Sequence, residues 1–366
     1  MRGGVDHKRA AQFVEALRRD QEGLIEAAVA DGWPREMAKA GFENHWQTWN
    51  VEALAESVRL ELALVDQSPG LHWIPPKKVH HIWPALPGAG LTPVLVGMLL
   101  GVAQAVRPSR RGLAVARRIA EHGQWELMEP DGPWHEADVV VVSGSDETLR
   151  EVHEQMAGRG RVVGYGHRVS FGVVVDGDSV DLEGAARRLA ADVVMWHQRG
   201  CFSVRGVLFC GVRERRRRFC EELAGAIAER EERWNAKHPG DTELAARAQA
   251  LGLAQMKGPV FGSGVGYVTM SDEPFRGKRE AIHSVTVHVV DGPEGLGEAV
   301  DLPVSAVQGV AMAGDWRSAR DEWLDALVRL GATRVAPAGT MQAPPADWWH
   351  DGRPNALGWG RVVRVG

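Results

Sequence analysis

Cysteine is scarce in this chain of 366 residues. The three cysteines, Cys201, Cys210 and Cys220, form an odd set without CxxC spacing. The sequence therefore predicts neither a zinc site nor a disulfide framework, and we expect no bound metal.

Long apolar runs and an excess of basic residues are also missing. The longest apolar stretch, residues 94–106, is too short and too interrupted by glycine to cross a bilayer. The first residues lead into a charged segment, not into the apolar core of a signal peptide. The formal net charge of −5 excludes the basic surface that is typical of nucleic-acid-binding proteins. We expect a cytoplasmic protein with no membrane span and no nucleic-acid partner.

Short apolar runs alternate with helical segments from residue 79 onwards. Runs at residues 79–83, 138–142 and 161–165 are separated by stretches of helical periodicity. This alternation is typical of a parallel sheet that is covered by helices on both faces. The length suggests two lobes, because one domain usually takes about 150 residues. The sequence therefore predicts an α/β protein with two lobes.

Cys201 follows a Gln-x-Gly turn at residues 198–200 and precedes the apolar run at residues 207–209. The preceding residues, 187–196, predict a helix, and the apolar run predicts a short buried strand. A cysteine at such a junction lies near unbonded backbone amides, which favour the nucleophilic thiolate. The alternative is a small buried hydrophobic residue, and this alternative is favoured for Cys210 and Cys220.

Two further segments allow a phosphate-binding interpretation. After the apolar strand at residues 139–142 comes a Gly-Ser turn, where Ser145 or Asp146 could cap a helix whose amides could also face a pyrophosphate. The basic run at residues 215–218 opens a predicted helix over residues 213–234, but the acidic residues that follow, including Glu231, favour a solvated helix face. The glycines at residues 262–266 run into a strand-like segment and predict a flexible turn.

The order of the motifs resembles the fatty acyl-CoA reductase family of bacterial bioluminescence, a divergent branch of the aldehyde dehydrogenase superfamily. The resemblance extends over residues 79–357. It rests on six segments in order: Val106-Arg107-Pro108-Ser109, Gly144-Ser145-Asp146-Glu147-Thr148, residues 164–170, Gln198-Arg199-Gly200-Cys201, residues 334–342 and residues 350–355.

The resemblance implies a role for several of these residues. Cys201 would be the nucleophile that accepts the acyl group. Arg107 and Ser109 match the strand end that lies beside the adenosine ribose in the superfamily. With Arg110 and Arg111 close behind, Arg107 could pair with a 2′-phosphate, which favours NADPH as the cofactor.

The same resemblance assigns Gly144, Ser145 and Gly166 to the cofactor site. Ordinary aldehyde dehydrogenases carry a water-activating glutamate on the strand before a glycine pair, but residues 163–167 contain no carboxylate. They also carry an oxyanion-binding asparagine, and residues 82–87 contain none. His167 and His350 are candidate proton donors, because histidine titrates near neutral pH.

The implied fold is aldehyde dehydrogenase-like, with two Rossmann-like lobes, parallel sheets and a cleft between them. We expect a nucleotide-binding lobe over residues 1–190, a catalytic lobe over 191–340 and a tail over 341–366. Residues 360–365 in this tail could form an edge strand for homo-oligomerisation.

The implied activity is reduction of an acyl thioester to an aldehyde by NADPH through an acyl-cysteine intermediate. The substrate would be an acyl-CoA or an acyl carrier, and an acyl ligase (synthetase) is a possible partner. Two alternatives stay open at this point: a non-reducing scaffold that accepts acyl groups for a ligase, and a cysteine thioesterase. The missing glutamate disfavours the thioesterase.

Overall fold

The computed structural model describes residues 7–123, 125–132, 137–262 and 264–365. Its α-helices are α1 His7–Arg19, α2 Gln21–Ala30, α3 Arg35–Thr48, α4 Val51–Asp66, α5 Leu91–Leu99, α6 Leu113–Ala120, α7 Asp146–Met156, α8 Leu182–Val194, α9 Arg213–Arg233, α10 Asp241–Lys257, α11 Leu296–Ala299 and α12 Arg320–Arg329. Its strands are β1 Leu71–Ile74, β2 Lys78–Trp83, β3 Ala103–Pro108, β4 Glu126–Leu127, β5 Val139–Ser143, β6 Arg161–Tyr165, β7 Val169–Val175, β8 Val204–Cys210, β9 Val260–Phe261, β10 Val268–Met270, β11 Val285–Val289, β12 Val307–Gly314, β13 Arg334–Pro337 and β14 Arg361–Arg364.

These elements form two compact units. The first unit runs to His167 and includes the chain from Pro344 onwards, and the second unit is Arg168–Ala343. This division differs from the sequence-based one over residues 168–190. Strand β7 lies in the second unit, because it pairs with β8 on one side and with β12 on the other.

A five-stranded parallel sheet forms the centre of the first unit, in the order β4-β3-β2-β5-β6. Residues 139–142 of β5 are all buried, as expected for a strand that is covered on both faces. Helix α1 buries Ala10, Phe13, Val14 and Leu17, whose spacing of three and four residues forms one apolar face. The predicted α/β class with parallel sheets is therefore confirmed.

The C-terminal strand pairs within its own unit. β14 lies antiparallel to β1, with Leu71 opposite Arg364 and Ile74 opposite Arg361. All four residues of β14 are exposed. The predicted strand in the tail is present, and its role in oligomerisation stays a prediction.

A buried carboxylate fixes the segment that leads into this strand. Glu61 of α4 has no solvent exposure, although most of its helix neighbours of similar polarity are exposed. Its carboxylate accepts the backbone N–H groups of Asn355, Ala356 and Leu357 at 2.8, 2.7 and 3.1 Å. Charge-assisted bonds of this kind are stronger than neutral ones, so Glu61 holds the C-terminal segment on α4.

A seven-stranded sheet forms the centre of the second unit, in the order β13-β12-β7-β8-β11-β10-β9. All neighbouring strands are parallel except β9, which is antiparallel to β10. No helix in the described part of the chain is long and apolar enough to span a membrane.

Helix α9 corrects one expectation about exposure. Its residues Phe219, Cys220, Leu223 and Ile227 are buried on one stripe, as the spacing predicts. Arg216 and Glu231 are buried as well, so the prediction of a solvated charged face is wrong at these two positions. Arg216 has a partner, because it donates to the carbonyl of Ser271 and to the carboxylate of Asp272.

We expect Glu61→Ala to lower the free energy of unfolding by about 3 kcal/mol, because three buried N–H groups would lose their acceptor. Chemical denaturation monitored by circular dichroism measures this loss. Glu56→Ala on the same helix is the matched control, since Glu56 is exposed and pairs with the exposed Arg59. Its expected effect is below about 0.5 kcal/mol, and equal losses in the two variants would contradict the role of Glu61.

Candidate active site

Cys201 lies in a loop with an unusual backbone. The loop follows the short 3₁₀ segment Met195–Gln198 and ends where β8 begins. Trp196, His197 and Gln198 have φ values of 54, 52 and 57°, three consecutive left-handed residues without a glycine. Such a conformation costs free energy at each residue and persists only where surrounding contacts impose it, often at functional sites.

Side-chain hydrogen bonds impose this conformation. Gln198 is fully buried, and its Nε2 donates to the carbonyls of Val204 at 2.8 Å and Ser284 at 3.2 Å. The hydroxyl of Ser170 on β7 donates to the carbonyl of Cys201 at 2.7 Å and accepts the N–H of Gly309 at 3.1 Å. The backbone of Cys201 is therefore fixed from both sides.

The buried Asp192 binds a second loop, and this second loop contacts the loop of Cys201. Asp192 of α8 accepts the N–H groups of Gly339 at 2.6 Å and Met341 at 3.0 Å. Gln342 then donates from Nε2 to the hydroxyl of Ser203 at 3.1 Å. The motif at residues 334–342, identified in the sequence, thus supports the chain immediately after Cys201.

The charge environment distinguishes Cys201 from the other two cysteines. Burial, and then the like charge of Arg279, lowers the pKa of Arg205, while a negative Cys201 acts in the opposite direction. The attraction is mutual, so Arg205 favours the Cys201 thiolate. Burial raises the pKa of Cys220 to about 12, and burial with nearby carboxylates raises that of Cys210, so both remain thiols. Cys201 is half-buried and thus accessible to reagents.

Three buried side chains in this unit were not recognised as a group in the sequence. Glu231 Oε1 lies 2.7 Å from His283 Nδ1, and His283 Nε2 lies 3.2 Å from His197 Nδ1. All three residues are at most 3% exposed. His197 stands four residues ahead of Cys201, and this proximity was the only signal in the sequence. Glu231 and His283 are far from it along the chain.

The glycines at residues 262–266 have a structural purpose beside this group. The N–H groups of Val265 and Gly266 donate to Glu231 at 3.0 and 2.7 Å. A Cβ atom at Gly264 would lie 2.6 Å from Glu231 Oε2, and one at Gly266 would lie 2.5 Å from the carbonyl of His283. Arg247 also donates to the carbonyls of Gly264 and Val265. Residues 264–266 of the turn are therefore anchored by hydrogen bonds, and the flexibility predicted for residues 262–266 stays a prediction.

The predicted cofactor residues follow strands of the first unit. The chain leaves β2 for β3 and β4 on one side of the sheet, and then places β5 and β6 on the other side. The switch point lies between β2 and β5, and open α/β sheets bind ligands at the carboxyl ends of such strands. Gly144 and Ser145 come directly after β5. Ser145 caps α7 by accepting the N–H of Thr148 at 3.2 Å, as one of the sequence-based alternatives predicts.

Ser109 and Arg107 lie at the end of β3, beside β2 in the same sheet. The hydroxyl of Ser109 is buried and has no hydrogen-bond partner among the described residues. An orphaned hydroxyl at this edge fits a ribose hydroxyl group. Arg107 Nε donates to the carbonyl of Pro130 at 2.6 Å, and Arg110 pairs with Asp131 at 2.6 Å. These bonds hold both arginines near the strand end.

Gly166, His167 and His350 also belong to the first unit. A Cβ at Gly166 would lie 2.6 Å from Asp146 Oδ1, which accepts the N–H of the exposed His167 at 3.0 Å. The ring of His350 stacks on Tyr165 with centroids 3.7 Å apart. Gly166 therefore permits a close backbone approach to α7, and His350 lies against the end of β6.

The strand order of the two sheets fits an aldehyde dehydrogenase fold, and solved structures agree. An NAD-dependent benzaldehyde dehydrogenase from Corynebacterium glutamicum has a TM-score of 0.64 at 16% identity, covering 98% of this chain and 84% of that chain. A gamma-glutamyl-gamma-aminobutyraldehyde dehydrogenase from Burkholderia cenocepacia has a TM-score of 0.69 at 15% identity, covering 98% and 83%. An indole-3-acetaldehyde dehydrogenase from P. syringae, bound to NAD+ and IAA, has a TM-score of 0.66 at 14% identity, covering 98% and 84%.

The family is narrower than the fold. Residues 130–357, more than half of the chain, match the acyl-CoA reductase (LuxC) family, and the chain belongs to this family. The predicted resemblance is confirmed, and the protein is an acyl-CoA reductase with an aldehyde dehydrogenase fold. A comparison with curated proteins gives no match.

Asp192 makes the stability of the second unit depend on pH. Burial raises the pKa of Asp192 to about 7 from an ordinary 3.8, and the two backbone N–H donors oppose this rise. Because the folded state then holds the proton more tightly than the unfolded state, this group makes the free energy of unfolding fall as pH rises from about 4 to about 7.

Asp192→Asn removes this dependence. We expect the wild type to lose stability relative to Asp192→Asn by on the order of 2 kcal/mol between pH 5 and pH 8. Urea denaturation of both proteins at the two pH values measures the difference. A stability difference between the two proteins that stays constant over this range would show that Asp192 is ionised throughout.

Proposed function

We propose that this enzyme reduces an acyl thioester to an aldehyde with NADPH, through an acyl group that is carried on Cys201. The observation that supports this proposal best is the fixed loop around Cys201. It holds a half-buried thiol beside the positive charge of Arg205, while the other two cysteines are kept as thiols by burial. Thiolate is the form of cysteine that attacks a thioester carbonyl.

In the first half-reaction, the thiolate of Cys201 attacks the carbonyl carbon of the acyl thioester. The bond between this carbon and the sulfur of coenzyme A breaks, and the acyl group remains on Cys201. The N–H of Cys201 is the natural donor to the oxyanion, since Ser170, whose hydroxyl also accepts the N–H of Gly309, fixes the carbonyl of the same residue.

The first unit supplies the residues that would hold the cofactor. Ser109 offers its orphaned hydroxyl to the ribose, and Gly144 and Ser145 lie at the switch point, where amides of α7 could face the phosphates. Arg107 stands where it could pair with the 2′-phosphate that distinguishes NADPH from NADH. When bound, the nicotinamide supplies the hydride that reduces the acyl carbon.

The water-activating carboxylate is missing from residues 163–167. Tyr165 and Gly166 stand at the end of β6, and the nearby carboxylate of Asp146 already accepts the N–H of His167. An acyl group on Cys201 is thereby protected from hydrolysis until it is reduced. His167 and His350 stay candidate proton donors for the second half-reaction. The cytoplasmic location, the homo-oligomer and the acyl ligase partner also stay predictions.

Cys201→Ala should abolish aldehyde formation and acylation, because no other thiol can accept the acyl group, while NADPH binding should be unchanged. Wild-type enzyme that is mixed with acyl-CoA alone should release up to about one equivalent of coenzyme A per site and then stall. Mass spectrometry should locate the acyl group on Cys201, and NADPH should discharge it as aldehyde. Cys210→Ala is the matched control and should remain active.

Two results would refute this function. Steady release of free fatty acid without NADPH would indicate a thioesterase. Acylation that NADPH does not discharge, together with no fluorescence change on NADPH titration, would indicate a non-reducing scaffold.

Arg107→Ala should weaken NADPH binding about tenfold or more while leaving NADH binding nearly unchanged, because only NADPH carries the 2′-phosphate. Ser109→Ala is the contrasting variant. It should weaken the binding of NADPH and NADH equally, since both carry a hydroxyl on the ribose carbon next to the 2′ position. Fluorescence titration of both variants with both nucleotides gives the four dissociation constants. Equal weakening by Arg107→Ala would show that this residue does not read the phosphate.

A further inference from the structure

The buried group of Glu231, His283 and His197 is not used in the mechanism above. It lies in the same unit as Cys201, and His197 belongs to the left-handed segment that leads into the Cys201 loop. His283 also has a left-handed backbone, with φ of 52°, and the two imidazole rings stack at 16° with centroids 5.3 Å apart. Buried ionisable groups held in a strained backbone are characteristic of functional sites.

The hydrogen bonds fix where the protons reside. Glu231 accepts two backbone N–H groups, one on each oxygen, so it is an acceptor and His283 Nδ1 must be the donor to it. In a neutral His283, Nε2 then carries a lone pair and accepts from Nδ1 of His197. A neutral His197 that donates from Nδ1 has its lone pair on Nε2.

This arrangement can take up a proton at one end and hold the charge at the other. A proton that arrives at Nε2 of His197 releases the Nδ1 proton to Nε2 of His283. His197 is then neutral again, and the positive charge lies on His283 beside the carboxylate of Glu231. Such a shift suits His197, because burial, followed by the nearby charges of His283 and Arg199, lowers its pKa to about 3 and disfavours a cation there.

We propose that Glu231, His283 and His197 form a proton relay that stores the thiol proton of Cys201 during acyl transfer. The proposal rests on the proposed role of Cys201 as the nucleophile. His197 is the end of the relay nearest to Cys201 along the chain. Arg279, which donates to the carbonyl of His197, also acts on Arg205, and Arg205 interacts with Cys201. The relay requires that the proton passes directly from Sγ of Cys201 to Nε2 of His197. Glu231 and His283 are positioning residues, because they act through His197.

The protons balance over the reaction. The S–H bond of Cys201 breaks, its proton enters the relay, and the sulfur forms a bond to the acyl carbon. The bond from this carbon to coenzyme A breaks with its electron pair on the leaving sulfur, which takes the stored proton and departs as a thiol. Both histidines of the relay are then neutral again, before the acyl group is reduced.

The arginines around the relay each bond to a carbonyl or a carboxylate. Arg279 donates to the carbonyl of His197 at 3.4 Å, and Arg199 pairs with Glu243 of α10 at 2.8 Å. Arg247 of the same helix lies on the other side, bonded to the turn that holds Glu231. Asp192 of α8 also changes protonation near neutral pH, because burial raises its pKa to about 7, so each variant is compared with the wild type over the same pH range.

The test follows the ionisation of Cys201 through its alkylation by iodoacetamide, since only the thiolate reacts. The alkylation rate is measured against pH, with the modified residue identified by mass spectrometry. Glu231→Gln removes the charge that stabilises the His283 cation, so the midpoint should move upward by about one pH unit, and alkylation at pH 7 should be about tenfold slower. His283→Gln should give a shift in the same direction.

Asp176→Asn is the matched control. Asp176 is a carboxylate of the same unit whose side chain is 6% exposed, and it accepts from Arg215, but no described side-chain hydrogen bond joins it to a histidine or to the Cys201 loop. It follows the end of β7, whereas Ser170, which binds Cys201, lies at the start of that strand. Its replacement should leave the alkylation midpoint unmoved. A wild-type midpoint in Glu231→Gln, or an equal shift in Asp176→Asn, would overturn the relay.

A measurement on the wild type covers the case in which the variants do not fold. Nitrogen-15 NMR of histidine-labelled enzyme at about pH 8 should show both His197 and His283 protonated at Nδ1 and unprotonated at Nε2. A His197 protonated at Nε2 in this state would overturn the relay. A failure of the proposed function would give a different result. Cys201 would then remain unmodified after mixing with acyl-CoA, even if the pH profile of its alkylation is the expected one.

Discussion

Buried carboxylates that accept backbone N–H groups hold the functional loops of this enzyme. Asp192, Glu61 and Glu231 each lie on a helix, and each binds amides of a chain segment that is distant in sequence. A carboxylate without such partners would be expensive to bury, and amides without an acceptor would also be costly. Each helix and its loop therefore stabilise one another, and the loops take their positions from the helices.

The loop of Cys201 shows what this support makes possible. Three consecutive left-handed residues would not persist in an unsupported loop, since each one costs of order 1 kcal/mol or more. Gln198 and Ser170 bind the backbone on either side of Cys201, and Asp192 supports the neighbouring loop through Gly339 and Met341. In the proposed mechanism, a thiol fixed in this way would lose little conformational entropy when it attacks, which would lower the barrier to acyl transfer.

Much of the architecture could be predicted from the sequence. Apolar runs such as residues 139–142 and the helical stripe of α9 have local signals, because periodicity reports which face is buried. The Gln-x-Gly-Cys turn and the Gly-Ser turn before α7 are local as well. Helix α10 was not predicted, and it buries none of its residues, so it has little apolar periodicity for the sequence to display.

The interactions that shape the site are not local, and this is why the sequence did not indicate them. Glu231 is one of several glutamates near the end of α9, and only the approach of Val265, Gly266 and His283 shows that it is buried. The reason for the glycines around residue 264 likewise becomes evident once a carboxylate oxygen lies where a Cβ would be. A charged residue in a predicted helix is assumed to be exposed unless its partner is known. The partners of Glu231 lie outside α9, so its burial has no local signal.

The proposed relay and Arg205 would act on the thiol of Cys201 in different ways. Arg205 favours the thiolate whatever the state of the relay, but a fixed charge cannot accept a proton. A single buried histidine beside Arg199 would accept one poorly, because the resulting cation would be desolvated and repelled. In the proposed relay the positive charge moves across one hydrogen bond to His283, whose ring contacts Glu231. The carboxylate offsets both the cost of desolvation and the repulsion by Arg199, so proton uptake becomes more favourable. The second histidine is what allows a proton to be held in a site that already contains arginines.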